Sequence, residues 1–139
     1  MKKSIYILLT ITLLFSSCGL HKLKKEGAYK ELPSEDYLVY VKDSTVNIID
    51  VRSPHEFKES HIEGAINVSY FGGHFKEDFN KLDLDTSKTT LIYCQTQHRS
   101  LMVANKIYKA GFHSIIDLDK GMRVWIKKEM PFVVEDTIN

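Results

Sequence analysis

The residues best placed to do chemistry lie in one stretch, Thr89-Thr90-Leu91-Ile92-Tyr93-Cys94-Gln95-Thr96-Gln97-His98-Arg99-Ser100, where an apolar run carries Cys94 into a polar, cationic turn. Leu91 to Tyr93 has the length and apolar continuity of a buried strand, and after Ser100 the residues Leu101, Ala104 and Tyr108 recur at helical spacing. Cys94 is therefore expected at a strand end and Arg99 near a helix start. In an open α/β sheet, sites collect outside the carboxyl ends of strands, and the free amides of a following helix attract anions. A thiol placed there is expected to ionise more readily than a free one, and the thiolate is the nucleophile. Arg99 reads either as part of that field and a partner for an oxyanion, or as a structural arginine bound to Asp50 or another carboxylate. His98 reads as a neutral hydrogen-bond donor, a partial cation or a plain exposed loop residue, and Cys94 itself as a catalytic or carrier thiol or as a buried inert one.

The rest of the chain supplies elements to hold that turn. Ser34 is expected to cap a helix with Glu35 and Asp36 in its first turn and Leu38 and Val41 facing inward. Val46 to Val51 reads as a strand of a buried parallel sheet, ending in charge at Asp50 and Arg52. Ser53-Pro54 starts a short helix, proline being tolerated at its first position; Asp50 and Arg52 brace the fold, and Glu56, four residues after Arg52, is expected to pair with it. Ser60 to Val68 is a glycine turn and a short strand, His74 to Leu82 a helix burying Phe75, Phe79 and Leu82, and Ser100 to Ala110 the strongest helical stretch, stopped by Gly111. Ile115 to Leu118 is a further strand, and Gly121 precedes a last helix that carries Trp125 and is closed by Pro131. Strands alternate with helices, which defines an α/β class with a mainly parallel sheet.

A chain of 139 residues with 43% hydrophobic content suits one core, and 19 basic against 18 acidic side chains with no basic run interleaved with aromatics gives no footprint for nucleic acid. Six histidines without a ligand spacing give no metal site. The N-terminus is different in kind. Lys2 and Lys3, the apolar stretch Ile5 to Phe15 and the small pair Ser16-Ser17 form an export signal, too short for the ~20 residues of a spanning helix. Ser16-Ser17-Cys18-Gly19 resembles the lipobox of bacterial lipoproteins, with Phe15 where leucine is usual. The resemblance implies cleavage before Cys18, acylation of that cysteine and a membrane-anchored protein of the bacterial envelope facing the periplasm. The expected organisation is a signal peptide over 1–17, a lipid-attached tether over 18–32, one domain over 33–134 and a tail over 135–139. Acylation would leave Cys94 as a thiol without an intramolecular partner.

Taken together, Asp50-Val51-Arg52 with Glu56-Phe57, His61-Ile62-Glu63-Gly64-Ala65-Ile66-Asn67, Tyr93-Cys94 with Arg99-Ser100, and Gly121 and Trp125 with Pro131 resemble a single-domain rhodanese-like sulfurtransferase from about Ser34 to Val133. That resemblance implies a three-layer fold with a central five-stranded, mainly parallel sheet flanked by helices. It also implies a Cys94 persulfide that passes sulfur from a small donor such as thiosulfate to a thiol or cyanide, with no cofactor and no metal. The backbone amides of Gln95, Thr96, Gln97, His98 and Arg99 would form the cradle. The four residues between Cys94 and Arg99 resemble the loop of sulfurtransferases rather than the loop, one residue longer, of the related phosphatases and arsenate reductases. The alternative is a catalytically weak binding or redox-sensing module. Three positions depart from the family's glycines: Gln97, Lys120 in Asp119-Lys120-Gly121, and Glu129. If Gln97 must be left-handed, it costs about 1–2 kcal/mol.

Overall fold

The computed structural model describes residues 19–135. The stretch expected to be an export signal, the expected acylation site at Cys18 and the last four residues lie outside the described residues. Five strands, β1 (Tyr29–Leu32), β2 (Asn47–Asp50), β3 (Ile66–Asn67), β4 (Thr90–Tyr93) and β5 (Ile115–Leu118), form one sheet in the order β1-β5-β4-β2-β3. Every pairing is parallel. Strands β2, β4 and β5 are buried at every position. Because both faces of these strands are covered, they appear in the sequence as continuous rather than alternating apolar runs.

The helices are α1 (Ser34–Val41), α2 (Pro54–Glu59), α3 (Phe75–Asn80), α4 (His98–Lys109) and α5 (Gly121–Lys127). On one face Ile49, Ile92 and Ile115 pack with Phe75 and Phe79 of α3 and with Val103, Ala104 and Ile107 of α4. On the other, Leu91, Tyr93, Ile116 and Leu118 pack with Tyr37 of α1 and with Met122 and Trp125 of α5. Strand β4 is central, so the residue that follows it emerges between the two layers. Trp125 is fully buried and its indole N–H donates to the carbonyl of Pro131 at 2.9 Å, which makes it a core residue.

Two expectations fail near the start. Pro33, not Ser34, occupies the cap of α1, and Ser34 is its first helical residue, with its hydroxyl buried and unpartnered. The stretch 18–32, read as a tether because of its lysines, is largely structured. Residues 19–25 are helical, Leu23 is 1% exposed within the core, and β1 pairs with β5 from Tyr29↔Ile115 to Leu32↔Leu118. The lysines snorkel from an apolar side, as Lys24 shows in bonding Glu31 at 3.0 Å. Leu23→Ala is expected to cost about 2–4 kcal/mol in urea unfolding; a change within about 0.5 kcal/mol would return this segment to the status of a tether.

Candidate functional site

Cys94 follows β4 and is fully buried; Gln95, Thr96 and Gln97 then turn the chain into α4. The shape of this loop is set by where its carbonyls go. The N–H of Met122 donates to Cys94 O at 2.8 Å and that of Arg123 to Gln95 O at 3.1 Å, so the first turn of α5 holds two loop carbonyls. Gln97 O accepts from Leu101 N at 3.2 Å and from the Ser100 hydroxyl at 2.8 Å. Across a trans peptide the carbonyl and the next N–H point in opposite directions. Fixing these carbonyls outward therefore turns the N–H groups of Gln95, Thr96 and His98 inward. Among the described residues, the backbone N–H groups of Gln95, Thr96, Gln97, His98 and Arg99 donate to no protein acceptor. Unbonded amides beside a sulfur at a helix start are suited to receive an anion carried on that sulfur.

Close approach of α5 requires Gly121. A Cβ there would lie 2.4 Å from Cys94 O and 2.7 Å from the carbonyl carbon of Gln95, both backbone atoms that cannot swing away. The three departures from glycine noted in the sequence all fall in the left-handed region: Gln97 at φ 78°, Lys120 at φ 60° and Glu129 at φ 56°. Each side chain there costs on the order of 1 kcal/mol relative to glycine. Two of them meet, since the Lys120 N–H points at Gln97 Oε1 at 3.4 Å, while Gln97 Nε2 is buried without a partner.

Two carboxylate–guanidinium pairs flank the loop, and their pairing differs from the expected one. Arg52 pairs with Asp50, not Glu56: Arg52 Nη2 lies 2.7 Å and Nε 3.0 Å from Asp50 Oδ2, with both side chains almost wholly buried. Arg52 also donates to the carbonyl of Ser60 and, at 3.3 Å, to Gln95 Oε1, which ties the loop to the core. Glu56 instead takes Arg99 in a bidentate pair, both contacts at 2.7 Å, and completes a capping box with Ser53 at the start of α2. The hydrogen bond from Arg99 is the main reason that the Glu56 carboxyl is held down to about 2. Arg99 thus has a structural carboxylate partner, yet two of its five N–H donors account for that pair. His98 is exposed, with Nδ1 3.1 Å from the Thr96 hydroxyl.

Behind the loop stands a group that the sequence reading passed over. Ser100 Oγ is 3.7 Å from Cys94 Sγ and 2.9 Å from Asp117 Oδ2, and Tyr29 OH donates to the same Asp117 oxygen at 2.8 Å. Asp117 lies on β5 and is fully buried, and burial pushes its carboxyl up to about 8. The available signal was a carboxylate inside an otherwise apolar strand, which is costly unless the group is neutral or paired.

The rhodanese-like domain family matches residues 34–128. The chain is 30% identical over 111 residues to the putative sulfur carrier protein YrkF of Bacillus subtilis, an alignment covering 79% of this chain and 58% of that protein. It is 32% identical over 91 residues to the chloroplastic thiosulfate sulfurtransferase 16 of Arabidopsis thaliana, covering 60% and 76%. The chain thus spans little more than half the length of the Bacillus protein. In fold it is similar to a rhodanese-related protein of Thermoplasma volcanium, with TM-score 0.66, 24% identity, and 77% and 100% of the two chains covered. With its five-stranded parallel sheet and a cysteine loop held by the first turn of α5, this chain belongs to the rhodanese-like domain family, a sulfurtransferase-type family. Gly121→Ala is expected to cost about 2–3 kcal/mol and to slow alkylation of Cys94 by iodoacetamide through displacement of the loop; unchanged stability and reactivity would show that α5 does not shape it.

Proposed function

We propose that this chain is a sulfurtransferase in which Cys94 carries sulfane sulfur as a persulfide. The observation that carries the reading is the set of backbone N–H groups from Gln95 to Arg99 that have no protein acceptor and flank a cysteine that is itself buried. A buried thiol is poorly placed for bulky substrates, but a sulfur added to it stands about 2 Å further out along the new S–S bond, toward those amides. In the first half-reaction the Cys94 thiolate attacks the outer sulfur of thiosulfate. The Cys94 S–S bond forms, the donor S–S bond breaks, and sulfite leaves with the bonding pair. The persulfide keeps one negative charge, which the five amides stabilise. In the second, cyanide or a thiolate attacks the terminal sulfur and Cys94 departs as thiolate. The free donors of Arg99 can hold the sulfonate end of the donor, while Gln95, Thr96, Gln97 and His98 act through their backbone. No cofactor takes part. Intact-mass measurement after incubation with thiosulfate should show a gain of one sulfur atom that Cys94→Ser lacks and that cyanide removes. No gain with any sulfur donor would contradict the proposal, and a gain that no acceptor removes would point to a carrier or sensing module.

We also propose that the chain is exported and anchored through an acylated Cys18, on the strength of the lipobox-like Ser16-Ser17-Cys18-Gly19. Several acyl chains, at about 0.8 kcal/mol per buried CH₂, suffice for stable membrane attachment. Expressed in a bacterial host, the protein should fractionate with membranes and the Cys18→Ser variant should not. An unacylated, soluble native protein would refute the anchor.

A further inference from the structure

Ser100 Oγ has more acceptors around it than it can serve. It lies 2.8 Å from Gln97 O, 2.9 Å from Asp117 Oδ2 and 3.7 Å from Cys94 Sγ, and it owns one proton. A carbonyl oxygen can only accept, so when the hydroxyl serves Gln97 O the contact with Asp117 needs a proton from the carboxyl. Asp117 Oδ1 has no partner, and the whole residue is buried. An ionised carboxylate would leave one of its oxygens unsolvated and unbonded, which is costly, whereas a neutral acid is suited to the site. Gln97 O also accepts from Leu101 N, so the Ser100 proton can turn toward the sulfur without leaving that carbonyl bare.

We propose that Asp117 is a positioning residue that works as a neutral carboxylic acid: it donates to Ser100 Oγ, which in turn donates to the anionic sulfur on Cys94, and its ionisation turns the Ser100 proton away. In the neutral state the order of donation is Asp117 Oδ2–H to Ser100 Oγ, then Ser100 Oγ–H to Sγ. In the ionised state Ser100 and Tyr29 both donate to Asp117 Oδ2, and the sulfur loses its hydrogen bond while gaining a negative charge beneath it. No covalent bond is made or broken in the switch; one proton leaves the carboxyl for solvent.

The groups facing Asp117 favour the neutral acid. Tyr29 and Glu31 come from β1, the latter tied to Lys24; Ser100 comes from α4, Cys94 from the end of β4, and Tyr37 reaches the sheet from α1. Among them Lys24 is the one cation, and Glu31 occupies it at 3.0 Å. Burial and then Asp117 itself push the Tyr29 phenol upward, so Tyr29 remains a donor in both states. With the carboxyl pushed up to about 8, the switch falls on the alkaline side of neutrality.

This inference rests on Cys94 being the reactive sulfur but not on sulfur transfer, and its test reads the thiol directly, so either can fail while the other stands. Infrared difference spectra should show a protonated carboxyl C=O stretch at pH 7 that titrates away near pH 8 and is missing from Asp117→Asn. The pH profile of Cys94 alkylation by iodoacetamide should carry, in the native protein, an inflection that tracks the loss of that band and that is absent from Asp117→Asn. Ser100→Ala should slow alkylation at pH 7 roughly tenfold, and Ser100→Thr should restore it. A native carboxyl that stays neutral costs stability as pH rises from about 4 to about 8, where the unfolded chain binds fewer protons. Asp117→Asn is therefore expected to fold, and the Ser100 pair decides the matter if it does not. Absence of the infrared band at pH 7, identical alkylation profiles for native protein and Asp117→Asn, or equal profiles for Ser100→Ala and Ser100→Thr would each overturn the proposal.

Discussion

The direction of one carbonyl governs the rest of the site. Cys94 O is held by the N–H of Met122, and this bond is possible because Gly121 presents no Cβ to the loop backbone. Release that carbonyl and the peptide between Cys94 and Gln95 is free to rotate, taking the first inward amide with it. The helix that supplies the bond, α5, is in turn held by Trp125 and Met122 in the core beneath the sheet. The anion-binding geometry is therefore a consequence of packing on the opposite layer from α4.

The two arginines nearest the cysteine are both engaged by carboxylates. Asp50 with Arg52 and Glu56 with Arg99 are two bidentate clamps, one almost wholly buried and one part-buried, and each fixes an element that borders Cys94. Such pairs fix geometry more than they add stability, because desolvation offsets most of the attraction. With the cations engaged, the field at the sulfur is left mainly to backbone dipoles and to the Ser100 hydroxyl. These act in a dry site, where hydrogen bonds are strong and a missing partner is expensive.

Much of this was legible in the sequence, and the failures have physical causes. The strand ending at Tyr93, the helix beginning near Arg99, the Pro54 helix start and the Gly111 stop all followed from period and local chemistry. The conditional left-handed cost at Gln97 came instead from the family resemblance, which puts glycine there; that residue, Lys120 and Glu129 adopt the conformation glycine would have taken. The partners of the arginines were not legible. Arg52 and Glu56 are near in sequence, but Arg52 finds its bidentate partner in Asp50, and Arg99 finds its own in Glu56, 43 positions away. Leu23 and Tyr29 were hidden by surrounding lysines whose stems and charges lie outside the core. Asp117 was hidden because a single carboxylate does not interrupt the apolar pattern of a four-residue strand; only the structure shows Ser100 and Tyr29 meeting it.

The central claim is that the amides of Gln95 to Arg99 hold a sulfane sulfur on Cys94. Backbone amide proton shifts, measured by NMR before and after loading with thiosulfate and again after cyanide, test it directly. The account predicts large downfield shifts confined to the amides of this loop, reversed when cyanide removes the sulfur. Loading that leaves these five amides unmoved would contradict it.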